Sequence, residues 1–428
     1  MENDWKKELL LETRSGPRKL WTRPWGYGES FLFFGSVLSG GLAAEYAFGP
    51  LDLKVLAWPF NFFLALIISA WALLARLLKN RAPFKFLSSR PPAVALIVCI
   101  GFLSIIMGLV PQASLPYRAP PEPGLIGRLG LDHLTSSFPL IFIYFFLLIA
   151  LGQTVILRAS LKRPVFLLNH LGLWLLLIAA GLGAPDRQRE LMVVPEGGLE
   201  WRTRQADGSF LEMPLAIRLL NFDIDEYPAK LAIVDHSSGQ ALTENGRLAV
   251  FQLDPAEPQG RLLDYDISLL EFLPRAAQLR PDLFTRAITQ GTGQPAGQAA
   301  KLLAKNRYSG QSYQGWVSTG GLSYPPRPLP LGDRWLAMTK PEPRRFLSQV
   351  MVYTREGLEL TAEIEVNKPL KAGDWLIYQH NYDTLAGKES LWSGFELVCD
   401  PWLPLAKTGF VLWALGSLGL IIFGQKKL

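Results

Sequence analysis

Apolar runs of bilayer length recur along this chain, separated by short polar links, except across one long stretch of ordinary soluble composition. Crossing a hydrocarbon core takes roughly 20 mostly apolar residues. Six segments meet that requirement, at about 31–49, 55–78, 92–110, 138–157, 164–183 and 404–424. Between the fifth and sixth, residues 185–403 switch to short runs rich in β-branched and aromatic side chains, broken by glycine. Leu199 to Glu212 reads as a hairpin around Asp207-Gly208. Further strands are predicted at Ala216–Ile224, Ala229–Asp235, Leu262–Phe272, Gln349–Thr354, Leu358–Val366 and Asp374–Gln379, with turns at Gly357 and Gly373. Arg280 to Ala304 is rich in Gln, Ala and Gly and reads as a helix plus loop inserted between strands. The pattern predicts an α-helical integral membrane protein with six transmembrane helices and a large β-rich, antiparallel sandwich-like extracytoplasmic domain.

Charge adds orientation to this picture. The formal charge of +6 would suit a nucleic-acid partner, but its distribution follows the spans instead. Lys6, Lys7, Arg14, Arg18, Lys19 and Arg23 precede the first span; Lys79, Arg81, Lys85 and Arg90 follow the second. Arg158, Lys162 and Arg163 follow the fourth, and Lys426 and Lys427 follow the sixth. Alternate links are poorer in Lys and Arg, so the positive-inside rule places both termini in the cytoplasm and residues 185–403 outside. No nucleic-acid binding is expected. The first apolar run follows a long charged tail, so no cleavable signal peptide is expected. Trp5, Trp21 and Trp25 in that tail suit a juxtamembrane anchor or a surface-lying segment.

The organisation divides into five parts. These are a basic cytoplasmic tail at 1–30, a transmembrane hairpin at 31–85 and a three-helix membrane region at 86–184. The β-rich domain at 185–403 and the final helix and tail at 404–428 complete it. The link between the third and fourth spans is rich in Pro and Gly, with a short interfacial helix expected near Leu131. Cys99 falls in the third span and Cys399 just before the sixth, with no C-x-x-C. Neither thiol–disulfide exchange nor a disulfide between them is expected.

His170 carries the most chemical information, because it interrupts an otherwise apolar helix, Pro164 to Gly183. An ionisable group at membrane depth faces protein, a cavity or a ligand rather than lipid. Imidazole is also a common protein ligand of haem iron. The plainer reading is one hydrogen bond across a helix pair, and the residues alone leave both open. Leu173, Trp174 and Leu177 share its face at i+3, i+4 and i+7, and Trp174 is a candidate for packing against a bound ring. Ala179, Ala180, Gly181 and Gly183 are expected to admit a neighbouring helix. His133 reads as a cap or surface residue at an interfacial helix start, with a propionate contact as the alternative; His236 reads as a turn residue, and His380 as a strand-end residue beside aromatics, with a haem contact as the alternative. Trp375, Tyr378, Tyr382, Trp392 and Trp402 suit an interfacial belt or β core, with a haem or apocytochrome surface as the alternative, and Arg344, Arg345 and Lys407 suit solvated charge or propionate pairing. The run Asp223 to Glu226 lacks the partners for metal or acid–base work, and no hydrolase triad or phosphate loop is present.

From about Phe86 onward the chain resembles the ResB (CcsB) family of System II cytochrome c maturation. The resemblance rests on pieces in the family's order. They are Ile106-Met-Gly-Leu-Val-Pro-Gln112, Gly124-Leu-Ile-Gly-Arg-Leu-Gly-Leu-Asp-His-Leu134 and Asn169-His170-Leu-Gly-Leu173, then Val366-Asn-Lys-Pro-Leu370, Tyr378-Gln-His-Asn-Tyr382 and Asp400-Pro-Trp402. Val155-Ile-Leu-Arg158 lacks a cysteine that many members carry there, which argues against a redox role tied to it. The tryptophan-rich haem-handling loop of the CcsA partner family is also absent, and the hairpin at 31–78 lies outside the resemblance.

The resemblance implies a non-catalytic membrane component that, with a CcsA-type partner, relays haem outward for attachment to apocytochrome c. It implies a bacterial cytoplasmic membrane location with the large domain on the periplasmic side. It also favours His170 as an axial ligand of haem b in transit. No other span contains a histidine, so a second imidazole would come from the partner. Two alternatives stand beside it: a scaffold that stabilises the CcsA-type subunit without binding haem, and a quinone- or cytochrome-linked respiratory anchor. The latter is expected to show paired span histidines or a quinone pocket, and neither is evident in the sequence.

Overall fold

The computed structural model describes residues 25–112, 124–158, 160, 163–205, 207–280, 283–286, 297–321 and 324–423. The chain divides into a helical unit, extending to Arg187 and resuming at Asp400, and a β unit, Gln188–Cys399. The helical unit contains six helices long and apolar enough to cross a membrane. They are Tyr27–Phe48, Phe60–Leu77, Arg90–Leu109, Phe138–Arg158, Pro164–Leu182 and Leu403–Phe423. Their starts are set locally. Glu29 reaches back to the Gly26 N–H at 2.8 Å before the first span, and proline stands in the opening turn of the third and fifth. In place of one helix near Leu131 stand a turn of helix at Leu125–Arg128 and a 3-10 turn at Leu134–Ser136.

The first two spans pack with the others in the helical unit. Phe34 of the first and Ile68 of the second share one buried cluster with Leu96, Ile143 and Trp174. The fifth and sixth spans form a closer pair. A Cβ on Gly172 would lie 2.2 Å from the Trp413 nitrogen, and one on Gly416 would lie 2.2 Å from the Asn169 nitrogen. Only glycine lets the two backbones approach this far, and the Asn169 amide then donates to the Ser417 hydroxyl at 2.8 Å. The contact expected from Gly181 and Gly183 is of another kind. These glycines accommodate the Tyr144 and Trp402 rings rather than a helix backbone, and the helix-to-helix seam lies at Gly172, Gly409 and Gly416 instead.

The β unit begins with β1 (Gln188–Pro195), β2 (Leu199–Arg204) and β3 (Phe210–Glu226). It continues with β4 (Lys230–Asp235), β5 (Thr243–Glu244), β6 (Arg247–Leu248), β7 (Val250–Gln252), β8 (Gln259–Leu262), β9 (Tyr265–Arg280) and β10 (Leu283–Arg286). Next come β11 (Gly297–Asn306), β12 (Ser312–Ser318), β13 (Leu329–Pro330) and β14 (Arg334–Met338). Last are β15 (Pro343–Thr354), β16 (Glu359–Glu365), β17 (Leu370–Ala372), β18 (Trp375–Tyr382) and β19 (Trp392–Cys399).

Two four-stranded antiparallel sheets, ordered β1-β19-β18-β17 and β2-β3-β15-β16, enclose Met192, Ile217, Leu219, Val350, Ile377 and Phe395. A second pair, β10-β9-β11-β12 with β8 on β9 and β13-β14-β4-β7, encloses Leu231, Ile233, Ile267, Leu302 and Leu336. The domain is therefore two stacked-sheet cores. The second is an insertion: Glu226 of β3 is paired directly with Pro343 of β15, and residues 227–342 leave and return at that point.

Each predicted strand overlaps an observed one, and the hairpin around Gly208 forms with φ +87° at that residue, where glycine is favoured. The expected helix after Arg280 does not form in Gly297–Ala304, which is the middle strand β11. Ala300, Leu302 and Ala304 are buried and alternate with Lys301, Leu303 and Lys305, so strand pairing on both sides overrides the helix preference of an Ala-rich run. Residues 287–296 lie outside the described residues.

Candidate functional site

His170 lies about 9 Å along the helix axis from Pro164, at 1.5 Å per residue. Two faces of its helix are already used: Val165, Asn169, Gly172 and Leu176 meet the sixth span, and Trp174 and Gly181 meet the fourth. At 3.6 residues per turn, His170 points roughly 130° from the first face and only about 30° from the second. Phe166, Leu173 and Leu177 share this half-buried apolar flank. The Phe166 ring stacks on the imidazole at 4.0 Å, and Nδ1 lies 3.1 Å from the Phe166 carbonyl oxygen. A carbonyl only accepts, so this contact requires the hydrogen on Nδ1 and leaves the Nε2 lone pair pointing away from its own backbone. This is the arrangement in which a second contact orients a metal-binding imidazole. Trp174 is a packing residue: it is 8 % exposed, lies against Gly152 and donates its indole N–H to the Leu148 carbonyl at 2.9 Å.

A second polar cluster occupies the end of the bundle from which the chain leaves for the β unit. Here the structure corrects the cap or surface role expected of His133. Its side chain caps no helix and is 5 % exposed, because the turn before the fourth span folds it inward. Nε2 lies 2.8 Å from Glu45 Oε1 and Nδ1 lies 2.6 Å from Asp132 Oδ1. Glu45, 1 % exposed near the end of the first span, also accepts the Phe138 N–H at 2.9 Å. Both contacts to His133 can be donations only from a doubly protonated ring. With a neutral ring, one contact needs a proton on the facing carboxyl.

Nearby in the sequence of the hairpin, Asn61 donates to the Leu182 carbonyl and to Asp186, each at 2.8 Å. Asp186 also accepts from the Trp58 backbone at 2.7 Å and the Trp402 indole at 2.6 Å. Burial raises the Asp186 pKa, but these donors outweigh it and hold the carboxyl below its ordinary range. They also explain why Ala184–Asp186 and Asp400–Trp402 belong with the helices rather than with the β unit.

The remaining sequence candidates are dispersed. His236 occupies the turn after β4, where hydrogen bonds from Ser237 and Ser238 hold Asp235 down to about 2. His380 is the exposed extra residue of a bulge in β18. Trp375 fills the first sandwich core, and Tyr382 stacks on Phe222 at 5.2 Å. Arg345 pairs with Glu365 and Arg344 lies over Tyr227, while Lys407 is exposed in the first turns of the sixth span. Neither cysteine is in a disulfide. Trp5 and Trp21 lie outside the described residues.

No protein-family model and no curated protein matches this sequence. The functional reading rests on the arrangement within the bundle, where Glu45, Asn61 and Gln153 are polar groups that the sequence motifs did not mark. Glu45 bears the same signal as His170, an ionisable residue inside an apolar run. Gln153 in the fourth span is fully buried, and neither of its amide atoms has a partner among the described residues.

Proposed function

We propose that this chain is a ResB-type membrane component of cytochrome c maturation that offers His170 to a haem passing through the bilayer. The supporting observation is the imidazole itself: Nδ1 is held by the Phe166 carbonyl, and Nε2 has no hydrogen-bond partner among the described residues, on a half-buried flank beside the face that meets the fourth span. The donor set fits one side of a haem iron. The flank supplies a ring-stacking phenylalanine and leucines for a flat apolar macrocycle, with haem as cargo rather than resident cofactor. In this reading a CcsA-type partner supplies the opposite ligand and carries the thioether-forming chemistry, with apocytochrome c as the client. The basic links face the cytoplasm of a bacterial inner membrane, and the β unit faces the periplasm.

The test is co-purification with a CcsA-type partner from cells making haem, comparing wild type with His170→Ala by optical and paramagnetic spectra. Loss or change of the axial-ligand signature, with partner recovery intact, is the expected result. Unchanged haem content and ligation in His170→Ala would replace the carrier reading with that of a scaffold.

A further inference from the structure

A large aromatic-walled cavity, about 1020 Å³, lies in the helical unit among the first, second and fourth spans and the short helix Ala82–Leu87. Its volume sits at the top of the roughly 300–1,000 Å³ range of small-molecule sites. Trp25, Phe33, Trp71, Phe86 and Phe146 form its walls. The rings already engage one another edge-on, Phe86 meeting Trp25 at 5.2 Å and Phe33 at 5.7 Å. Such walls suit a flat conjugated ring stacked or edge-packed among them. The polar groups lining the cavity include the Asn80 amide and the Lys85 ammonium. The Trp71 indole N–H is buried without a hydrogen-bond partner among the described residues. A buried N–H without an acceptor is costly, so a ligand oxygen is the natural complement.

We propose that this cavity binds a membrane quinone. The conjugated head group would lie among the five aromatic rings, and one carbonyl oxygen would accept from Trp71 Nε1–H. The Asn80 and Lys85 end would receive the other carbonyl, and the prenyl tail would run toward lipid. A haem is a poor fit, because among the described residues no His, Cys, Met or Tyr lines the cavity to serve as an iron ligand. The site lies apart from His170; it would supply one of the two features expected of a quinone-linked respiratory anchor, while the other, paired span histidines, is absent from the sequence. Only binding is proposed, with no electron transfer.

The experiment is photolabelling of the full-length protein in detergent with an azido-substituted prenyl naphthoquinone, followed by peptide mapping. Expected is labelling of the peptides around Trp71 and Ala82–Pro91, competed by an unlabelled one-isoprene naphthoquinone or benzoquinone. The two competitors distinguish the quinone class. Trp71→Phe keeps the ring and removes the donor, so the competing concentration should rise by up to roughly tenfold, the worth of one hydrogen bond. Ala82→Phe, placed on the cavity wall, should abolish the labelling. Labelling spread over lipid-facing helices without competition would overturn the proposal. So would competition by phosphatidylglycerol or zinc protoporphyrin in place of the quinones.

Discussion

At the scale of single residues, the bundle holds its polar groups in two different ways. His170 keeps one nitrogen without a partner among the described residues, on a half-buried flank, whereas His133 has both nitrogens committed to carboxylates inside the fold. Removing one member of such a buried pair strands the other, at a cost on the order of 3–5 kcal/mol. Glu45→Ala is therefore expected to lower the thermal midpoint of the detergent-purified protein markedly. His170→Ala should leave it nearly unchanged. Equal effects from the two variants would remove the distinction drawn between a structural and a ligand-presenting histidine. Both histidines were visible in the sequence. What separates them is the partner Glu45, which stands 88 residues from His133 and can be paired with it only by the fold.

Among elements, the fifth and sixth spans are joined by glycine rather than by interlocked large side chains. Without a hydrophobic driving force between helices in lipid, close backbone contact and polar links supply the association. Gly172→Leu would push side-chain atoms into the Trp413 backbone and separate the pair. In an Asn169→Cys, Ser417→Cys background, disulfide cross-linking should be efficient and should fall several-fold when Gly172→Leu is added. Undiminished cross-linking would show that the seam does not depend on this glycine. The spans themselves were legible, because length and hydropathy suffice for them. The seam was misplaced toward Gly181 and Gly183, since sequence marks small residues without telling which of them meets a helix and which meets a ring. Strand β11 failed to show for a related reason. Its Ala-rich composition favours helix locally, and β9 and β12 on either side decide otherwise.

Over the whole molecule, the β unit is one sandwich with a second sandwich inserted into the β3–β15 pair. The insertion points Glu226 and Pro343 are ladder partners, so residues 227–342 should be replaceable by a tight turn without disturbing the first core. The excision also removes Arg275, which pairs with the buried Glu389 at 2.7 Å, so the shortened domain should carry Glu389→Gln to avoid a stranded charge. The termini of this unit, Gln188 and Cys399, are themselves paired, which favours expressing it alone. Dispersed amide resonances and β-type circular dichroism are the expected outcome for the shortened domain. A molten or insoluble product would show that the first sandwich needs the second.

Run length and alternation alone set the six apolar helices, the change to strand periodicity after the fifth, the strands β2, β3, β4, β9, β15, β16 and β18 out of the nineteen described, and the singular character of His170. These follow from local quantities: run length, alternation, and the cost of an ionisable group in an apolar segment. Tertiary structure alone decided that the first two spans pack into the helical unit through Glu45, Asn61 and Asp186, and that the β unit contains two cores. It also decided that aromatics from distant segments enclose a cavity at Trp71. Each of these depends on pairing groups far apart in the chain. Hydrogen-bond satisfaction and close packing select such pairs only once the whole chain is folded.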